Sequence, residues 1–324
     1  MAITIENIVT AEDDFALSAE LLPTAPFDFH ASLNSLKESG ATDQTETLAE
    51  DLSWLERPLM LDNRPFLVRL ANAGSLEQPR LSLRLRADED ADSLPTPAQL
   101  EKAAQWADRR FYLNVNLEEI RTVLSVNEYG ENLCARFFPA RPTGLGGAWE
   151  GLLRTVIANQ IYPGLAKRLQ ETFLTFYGSK ARFGDKEYRL FPTPEKLAEV
   201  SPDELQSMRF SRQKAGYLPG IAQMVVSEPE KFDFERLRHL PGHEAVAILD
   251  ELPGVGKWTA HYVAMRGLCH PDVFIDEKGL RKTLASGYDR RADLSDEEFE
   301  SLTAVFAPYR TFACYYSYMR MYNV

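Results

Sequence analysis

The sequence predicts an α+β protein in which strands come first and helices follow. Three observations carry that prediction. Leu81-Ser82-Leu83-Arg84-Leu85-Arg86 alternates strictly between apolar and polar residues, the pattern of a strand with one face buried. Trp149 to Phe176 is apolar at helical spacing. Leu252-Pro253-Gly254-Val255-Gly256-Lys257-Trp258-Thr259-Ala260 places two glycines between two helix-periodic segments. The expected division is a mixed α/β domain over 1–115 and a helical region over 116–324.

In chain order, Ile3-Thr4-Ile5 is a possible first strand. Phe66-Leu67-Val68-Arg69-Leu70 reads as another, separated from the one at Leu81 by the turn residues Asn72-Ala73-Gly74. Asp88-Glu89-Asp90-Ala91-Asp92 is a solvated acidic loop. Thr96 caps a helix with Pro97 at its first position, running to about Phe111. The long apolar stretch from Trp149 breaks at Tyr162-Pro163-Gly164 and so gives two helices and a turn. Ser201 caps a helix that opens with Pro202, and Ser211-Arg212-Gln213-Lys214 leads into the next. Glu244 to Leu252 and Lys257 to Leu268 flank the glycines, and helices at Leu280 to Ala285 and Asp296 to Tyr322 complete the bundle.

Composition narrows the function. No run of 18 apolar residues exists among the 324, which argues against a membrane span, and the N-terminus lacks the basic start of a signal peptide. Three scattered cysteines suit a reducing compartment and cannot supply a four-thiolate iron–sulfur cluster. The net charge of −12 at first opposes nucleic acid. Its distribution changes that reading. Residues 1–131 hold 24 acidic and 11 basic side chains, net −13, whereas residues 132–324 hold 24 and 25, net +1. A neutral C-terminal part can grip phosphate through backbone amides and a few basic groups.

The glycine pair supplies such a grip. Glycine reaches φ > 0 and lets another backbone approach, and the amides that open the following helix have no helical partner. The amides of Gly254, Gly256 and Trp258 are the expected phosphate contacts, with Lys257, Lys214 and Arg212 as plausible helpers. Asp276 follows Gly254 by 22 positions. A carboxylate that near a phosphate grip suggests chemistry on a nucleotide; the bland reading, compatible with it, is that Asp276 caps the helix starting near Lys278.

With these residues in view, the chain resembles the helix-hairpin-helix DNA glycosylase superfamily, in particular its bacterial 3-methyladenine DNA glycosylase II branch. The likeness covers roughly residues 25–322. It begins at Pro26-Phe27-Asp28-Phe29 and Phe111-Tyr112-Leu113-Asn114 and strengthens at Ala140-Arg141-Pro142 and Ile157-Ala158-Asn159-Gln160-Ile161. It is strongest through the hairpin, Met265-Arg266-Gly267 and Asp272-Val273-Phe274, and ends at Pro308-Tyr309-Arg310. It implies an N-terminal sheet like that of TATA-binding protein, then two helical subdomains with a cleft between them. The implied activity is a monofunctional glycosylase that flips an alkylated purine out of damaged double-stranded DNA and leaves an abasic site. The alternatives are a glycosylase for a deaminated or oxidised base, or a protein that binds damage without cutting. The implied setting is a monomer in the bacterial cytosol, without a cofactor beyond a possible Na⁺ or K⁺ on the carbonyls of Leu252 and Val255.

The resemblance also implies site residues. The superfamily's catalytic Asp follows two apolar residues and precedes a basic residue by five, which Phe274-Ile275-Asp276 and Arg281 satisfy. The alkylation branch places it four after the Phe, where Lys278 stands here; deletion of one residue brings Glu277 into that slot. Asp276 is therefore the first candidate and Glu277 the second. Trp258 occupies the position of the Schiff-base lysine of the lyases, which implies a glycosylase without lyase chemistry. Trp258, Tyr262 and Tyr318 match base-pocket positions, and Gln160-Ile161 matches the wedge turn that fills the gap left by the base. An alkylated, cationic purine suits electron-rich aromatic faces.

Overall fold

Alternating side chains build the sheet. The computed structural model of the chain describes residues 3–10, 15–38, 44–89, 94–291 and 294–322; most of the expected acidic loop, from position 90, lies outside them. The chain folds into two compact units, one made of residues 1–115 and 161–196, the other of 116–160 and 197–324. The second break is not the linear division expected from the sequence.

The first unit holds a six-stranded antiparallel sheet in the order β1-β2-β6-β5-β4-β3. Its strands are β1 (Thr4–Thr10), β2 (Leu17–Leu22), β3 (Thr47–Leu48), β4 (Trp54–Leu61), β5 (Arg64–Asn72) and β6 (Leu81–Ala87). The expected strands at Phe66 and Leu81 are present as β5 and β6, paired Leu70 to Leu83. Asp62 and Asn63, at φ 51° and 61°, make the two-residue turn between β4 and β5. One sheet face carries α1 (Phe29–Glu38) and α2 (Pro97–Phe111). Thr96 and Gln99 form a reciprocal capping box at the start of α2. Leu100, Ala103, Ala104 and Phe111 of α2 share one core with Leu21, Leu70 and Leu83. Each such leucine contributes about 1.5–3 kcal/mol on burial.

The same unit contains α6 (Pro163–Tyr177), the helix expected after the Tyr162-Pro163-Gly164 break, and a hairpin of β7 (Ser179–Phe183) and β8 (Lys186–Leu190) in a region whose sequence reads as nearly all helical. The hairpin belongs here because Ala181, Phe183 and Tyr188 cluster with Phe15 and Leu67 of the sheet unit. The Tyr188 hydroxyl also donates to Glu56 at 3.1 Å. The signal was present in Gly184-Asp185, a two-residue hairpin turn flanked by alternating residues.

The second unit is helical. Its elements are α3 (Leu117–Leu124), α4 (Glu128–Phe137), α5 (Ala148–Ala158), α8 (Pro202–Ser207), α9 (Arg212–Ser227), α10 (Phe234–His239), α11 (Gly242–Asp250), α12 (Lys257–Tyr262), α13 (Lys278–Gly287), α14 (Asp296–Ala304) and α15 (Arg310–Tyr322). The short α7 (Pro194–Ala198) straddles the boundary. Two expected helices differ. The one after the hairpin is α-helical only to Tyr262 and continues as a π-helical turn over Val263–Gly267, with the Leu268 amide on the Val263 carbonyl at 2.8 Å. The run expected from Asp296 to Tyr322 is two helices, the first ending at Ala304 and the second starting at Arg310, on either side of Pro308, a residue disfavoured in a helix interior. Among the described residues no helix is long and apolar enough to cross a membrane.

Candidate active site

The hairpin joins α11 to α12. The Val255 amide donates to the Leu252 carbonyl at 3.0 Å and closes the turn. Gly254 sits at φ 73°, and a Cβ there would lie 2.2 Å from the Tyr217 ring. Both facts demand glycine. Gly256 caps α12 in extended backbone, and a Cβ on it would meet no atom within 4 Å. Its neighbourhood is open, so the fold of the free protein does not require glycine at 256. The amides of the first turn of α12 have no intrahelical acceptor.

The carboxylate corner follows the buried residues Phe274 and Ile275. Asp276 is held on all sides by cations. Arg281 donates from Nε to Oδ1 at 2.6 Å and from Nη2 to Oδ2 at 2.8 Å. Lys257 donates to Oδ2 at 2.9 Å. The Arg281 hydrogen bonds, with Lys257 beside them, hold the Asp276 carboxyl down at about 2. Arg281 is itself anchored to the Leu294 carbonyl at 2.8 Å and to Asp296 at 2.6 Å.

Glu277 turns elsewhere. It stands at the N-cap of α13 but makes no side-chain capping bond. Its Oε2 accepts the Trp258 indole N–H at 2.9 Å. Trp258 stacks on Tyr262 at 5.1 Å and 17°. Tyr318 is a half-buried member of the same group; burial first, then the nearby Cys314 and Glu277, push its phenol far above the ordinary range. Tyr318 in turn stacks on Tyr322 at 6.4 Å and 5°. Glu277 is therefore in contact with the three expected aromatic residues' cluster, whereas Asp276 is in the ion network. Tyr316 is fully buried and donates to the Ala140 carbonyl at 2.9 Å, an ordinary core role. Lys278 is exposed at the first position of α13.

A cavity of about 510 Å³ opens on the Asp276 side of this corner. Asp276, Asp296, Glu297 and Glu300 line it with Lys257 and His261. That acidic lining repels a phosphate backbone, and neither Glu277 nor Trp258 contributes to it. Burial, foremost, pushes the His261 imidazole down, and its Nδ1 lies 2.7 Å from the Lys257 carbonyl.

The turn expected to act as a wedge follows α5. Gln160 is exposed at φ 57°, and Ile161 is half-buried. The Asn159 side chain donates to the Thr259 hydroxyl of α12 at 3.0 Å, so the residue before Gln160 is tied to the hairpin helix. Lys214 is not placed as a phosphate contact. It is only 9% exposed, and its ammonium donates to the Ile157 carbonyl at 2.6 Å. Sequence spacing did not separate the buried from the exposed face at the start of α9; Arg212, two residues earlier, is exposed.

The hairpin thus stands beside a carboxylate that reaches a stacked aromatic pair. Residues 153–302 match the family model described as HhH-GPD superfamily base excision DNA repair protein. A Bacillus subtilis DNA-3-methyladenine glycosylase is 27% identical over 58% of this chain and 61% of its own length. The Escherichia coli DNA-3-methyladenine glycosylase 2 is 30% identical over 45% of this chain and 52% of its own length. The chain thus aligns with about half to three-fifths of these relatives. Among solved structures, a 3-methyladenine DNA-glycosylase from Archaeoglobus fulgidus shares the fold, with a TM-score of 0.73 at 18% identity, over 94% of this chain and 98% of that one.

Proposed function

We propose that the protein hydrolyses the N-glycosidic bond of alkylated purines in duplex DNA, with Glu277 as the reacting-site carboxylate. One observation carries the assignment: Glu277, not Asp276, reaches the stacked aromatic pair, through the 2.9 Å bond from Trp258. Asp276 has both oxygens occupied by Arg281 and Lys257 and serves to hold the corner. The relatives' names support the alkylated substrate.

A base inside the stack is out of reach, so the nucleotide is first turned out of the helix, at a cost of a few kcal/mol. The hairpin amides hold the backbone phosphate, and the Gln160-Ile161 turn fills the vacated space. The cationic purine lies against Trp258, Tyr262 and Tyr318. The bond between C1′ and the purine nitrogen then breaks, and its electron pair passes to the ring and cancels the ring's charge. Positive charge grows on the sugar, where the Glu277 carboxylate stabilises it in a site of low dielectric. Water adds its oxygen to C1′ and gives its proton to the carboxylate or to solvent. Trp258 has no amine for a Schiff base, so the product is an abasic site rather than a strand break.

The substrate is damaged double-stranded DNA, met by a monomer in the cytosol without a membrane. The Leu252 carbonyl keeps a second lone pair beyond its bond to Val255, so it and the Val255 carbonyl suit a Na⁺ or K⁺ that would add positive charge to the phosphate grip. No other cofactor is proposed.

The test is incubation with duplex carrying methylated purines, followed by alkali. Alkali-dependent breaks with wild type, lost in Glu277→Gln and retained in part by Asp276→Asn, support the proposal. Breaks that only Asp276→Asn abolishes overturn the choice of Glu277. Tight binding without breaks favours a damage-binding role instead.

A further inference from the structure

The turn after α5 is fixed at two points that lie outside the catalytic corner. Helix α5 ends at Ala158, and its carbonyls after Thr155 lack helical partners. The Asn159 amide takes the Thr155 carbonyl at 2.9 Å. The Ile157 carbonyl is taken by the Lys214 ammonium at 2.6 Å. Lys214 is buried in the first turn of α9, whose N-cap Ser211 accepts the Lys214 amide at 3.3 Å. A cation at a helix C-terminus also complements the helix dipole. Burial keeps this ammonium below the ordinary lysine range, a cost the fold accepts at this position. The second point is Asn159, whose side chain donates to Thr259 at 3.0 Å. Thr259 is 4% exposed and lies on α12, the helix that follows the glycine hairpin.

Between these braces and the start of α6, Gln160 adopts φ 57° and stays exposed. That is an unfavourable conformation for a residue with a Cβ, and it persists only where the surroundings impose it. We infer that Lys214 and Thr259 are positioning residues which hold this turn, before DNA arrives, in the shape that inserts Gln160 into the base stack. The inference rests on the reading of the turn as a DNA wedge. It separates two kinds of lysine in this unit: Lys257 at the surface of the hairpin, and Lys214 acting through a carbonyl rather than on a phosphate. It also links grip and wedge through the chain, since Thr259 stands three residues after Gly256.

The experiment uses a duplex with a tetrahydrofuran abasic analogue next to 2-aminopurine, which reports unstacking without any bond being cut. Wild type raises the fluorescence. Lys214→Met and Thr259→Val each lower the unstacked fraction between about 10-fold and 100-fold. Both bind the same duplex with the wild-type salt dependence, and Lys214→Arg recovers much of the signal. A Lys214→Met protein whose salt slope drops by about one makes Lys214 a phosphate contact and overturns the inference. Wild-type fluorescence in both variants overturns it as well. If Lys214→Met does not fold by circular dichroism, Thr259→Val decides. Wild-type binding without a fluorescence change refutes the wedge itself, whereas a failed proposal on catalysis shows only in the alkali assay.

Discussion

Trp258 donates its indole N–H to Glu277 Oε2 at 2.9 Å, and so fixes the direction of a carboxylate that leaves its own helix uncapped. Side chains that cap a helix, chiefly Ser, Thr, Asp and Asn, accept from the amides of the first turn. Here an aromatic donor from α12 draws Glu277 to the stacked rings. Two substitutions separate charge from direction. Glu277→Gln removes the charge and is expected to lower single-turnover excision by about 10²–10³-fold. Trp258→Phe keeps a ring for stacking but loses the donor, with an expected loss of about 10-fold, the equivalent of one hydrogen bond to a charged group. Wild-type excision by Trp258→Phe would mean that the ring, rather than the bond, matters.

Asp276 gives a prediction about stability. Its carboxyl is depressed from 3.8 to about 2 by Arg281 and Lys257. A depressed acid stabilises the fold above its unfolded pKa and loses that contribution as pH falls through the folded value. Asp276→Asn is therefore expected to cost roughly 1–2 kcal/mol at pH 7, after allowance for solvent screening. The gap between variant and wild type should close between about pH 4 and pH 2. Denaturant titrations at pH 7, 4 and 3 measure it. A gap that does not change with pH would show that the ion pairs contribute nothing.

The parts of this arrangement legible in sequence are those with local causes. Thr96-Pro97 and Ser201-Pro202 announce their helices because capping is settled within one turn. Gly254 is readable because its backbone angle leaves few alternatives. The choice between Asp276 and Glu277 was not readable. It depends on which carboxylate meets Lys257 and Trp258, 19 positions away in each case. Lys214 failed for a similar reason, since the carbonyl it serves lies 57 residues earlier. The β7–β8 hairpin had a local signal in Gly184-Asp185, masked by its short strands and charged outer residues.

Lys257 pairs with Asp276, and salt can test whether it also meets a phosphate as proposed. It reaches Asp276 at 2.9 Å, yet its side chain is 62% exposed at the start of the hairpin helix. An exposed ion pair contributes only about 0–1 kcal/mol, so Lys257→Met should change the melting temperature little. If its ammonium also meets a phosphate, the slope of log K against log salt should fall by about one. Filter binding to undamaged duplex across a salt series measures this. An unchanged slope would confine Lys257 to its pair with Asp276.

The hairpin glycines should respond in opposite ways. At Gly254 a methyl group meets the Tyr217 ring at 2.2 Å and the backbone is left-handed at φ 73°. Gly254→Ala is therefore expected to destabilise the protein by about 2 kcal/mol or more, from overpacking and backbone strain together. At Gly256 the methyl group meets nothing within 4 Å, in extended backbone that alanine adopts freely. Gly256→Ala should leave the melting temperature close to wild type. Its cost should appear with duplex DNA, because the methyl stands where, in the proposed complex, a phosphate approaches the amides of α12. An expected loss of about 10-fold in affinity corresponds to roughly 1.4 kcal/mol. Thermal melts and fluorescence anisotropy on both variants test the pair. A Gly256→Ala protein that binds as tightly as wild type would remove the phosphate from this end of the hairpin.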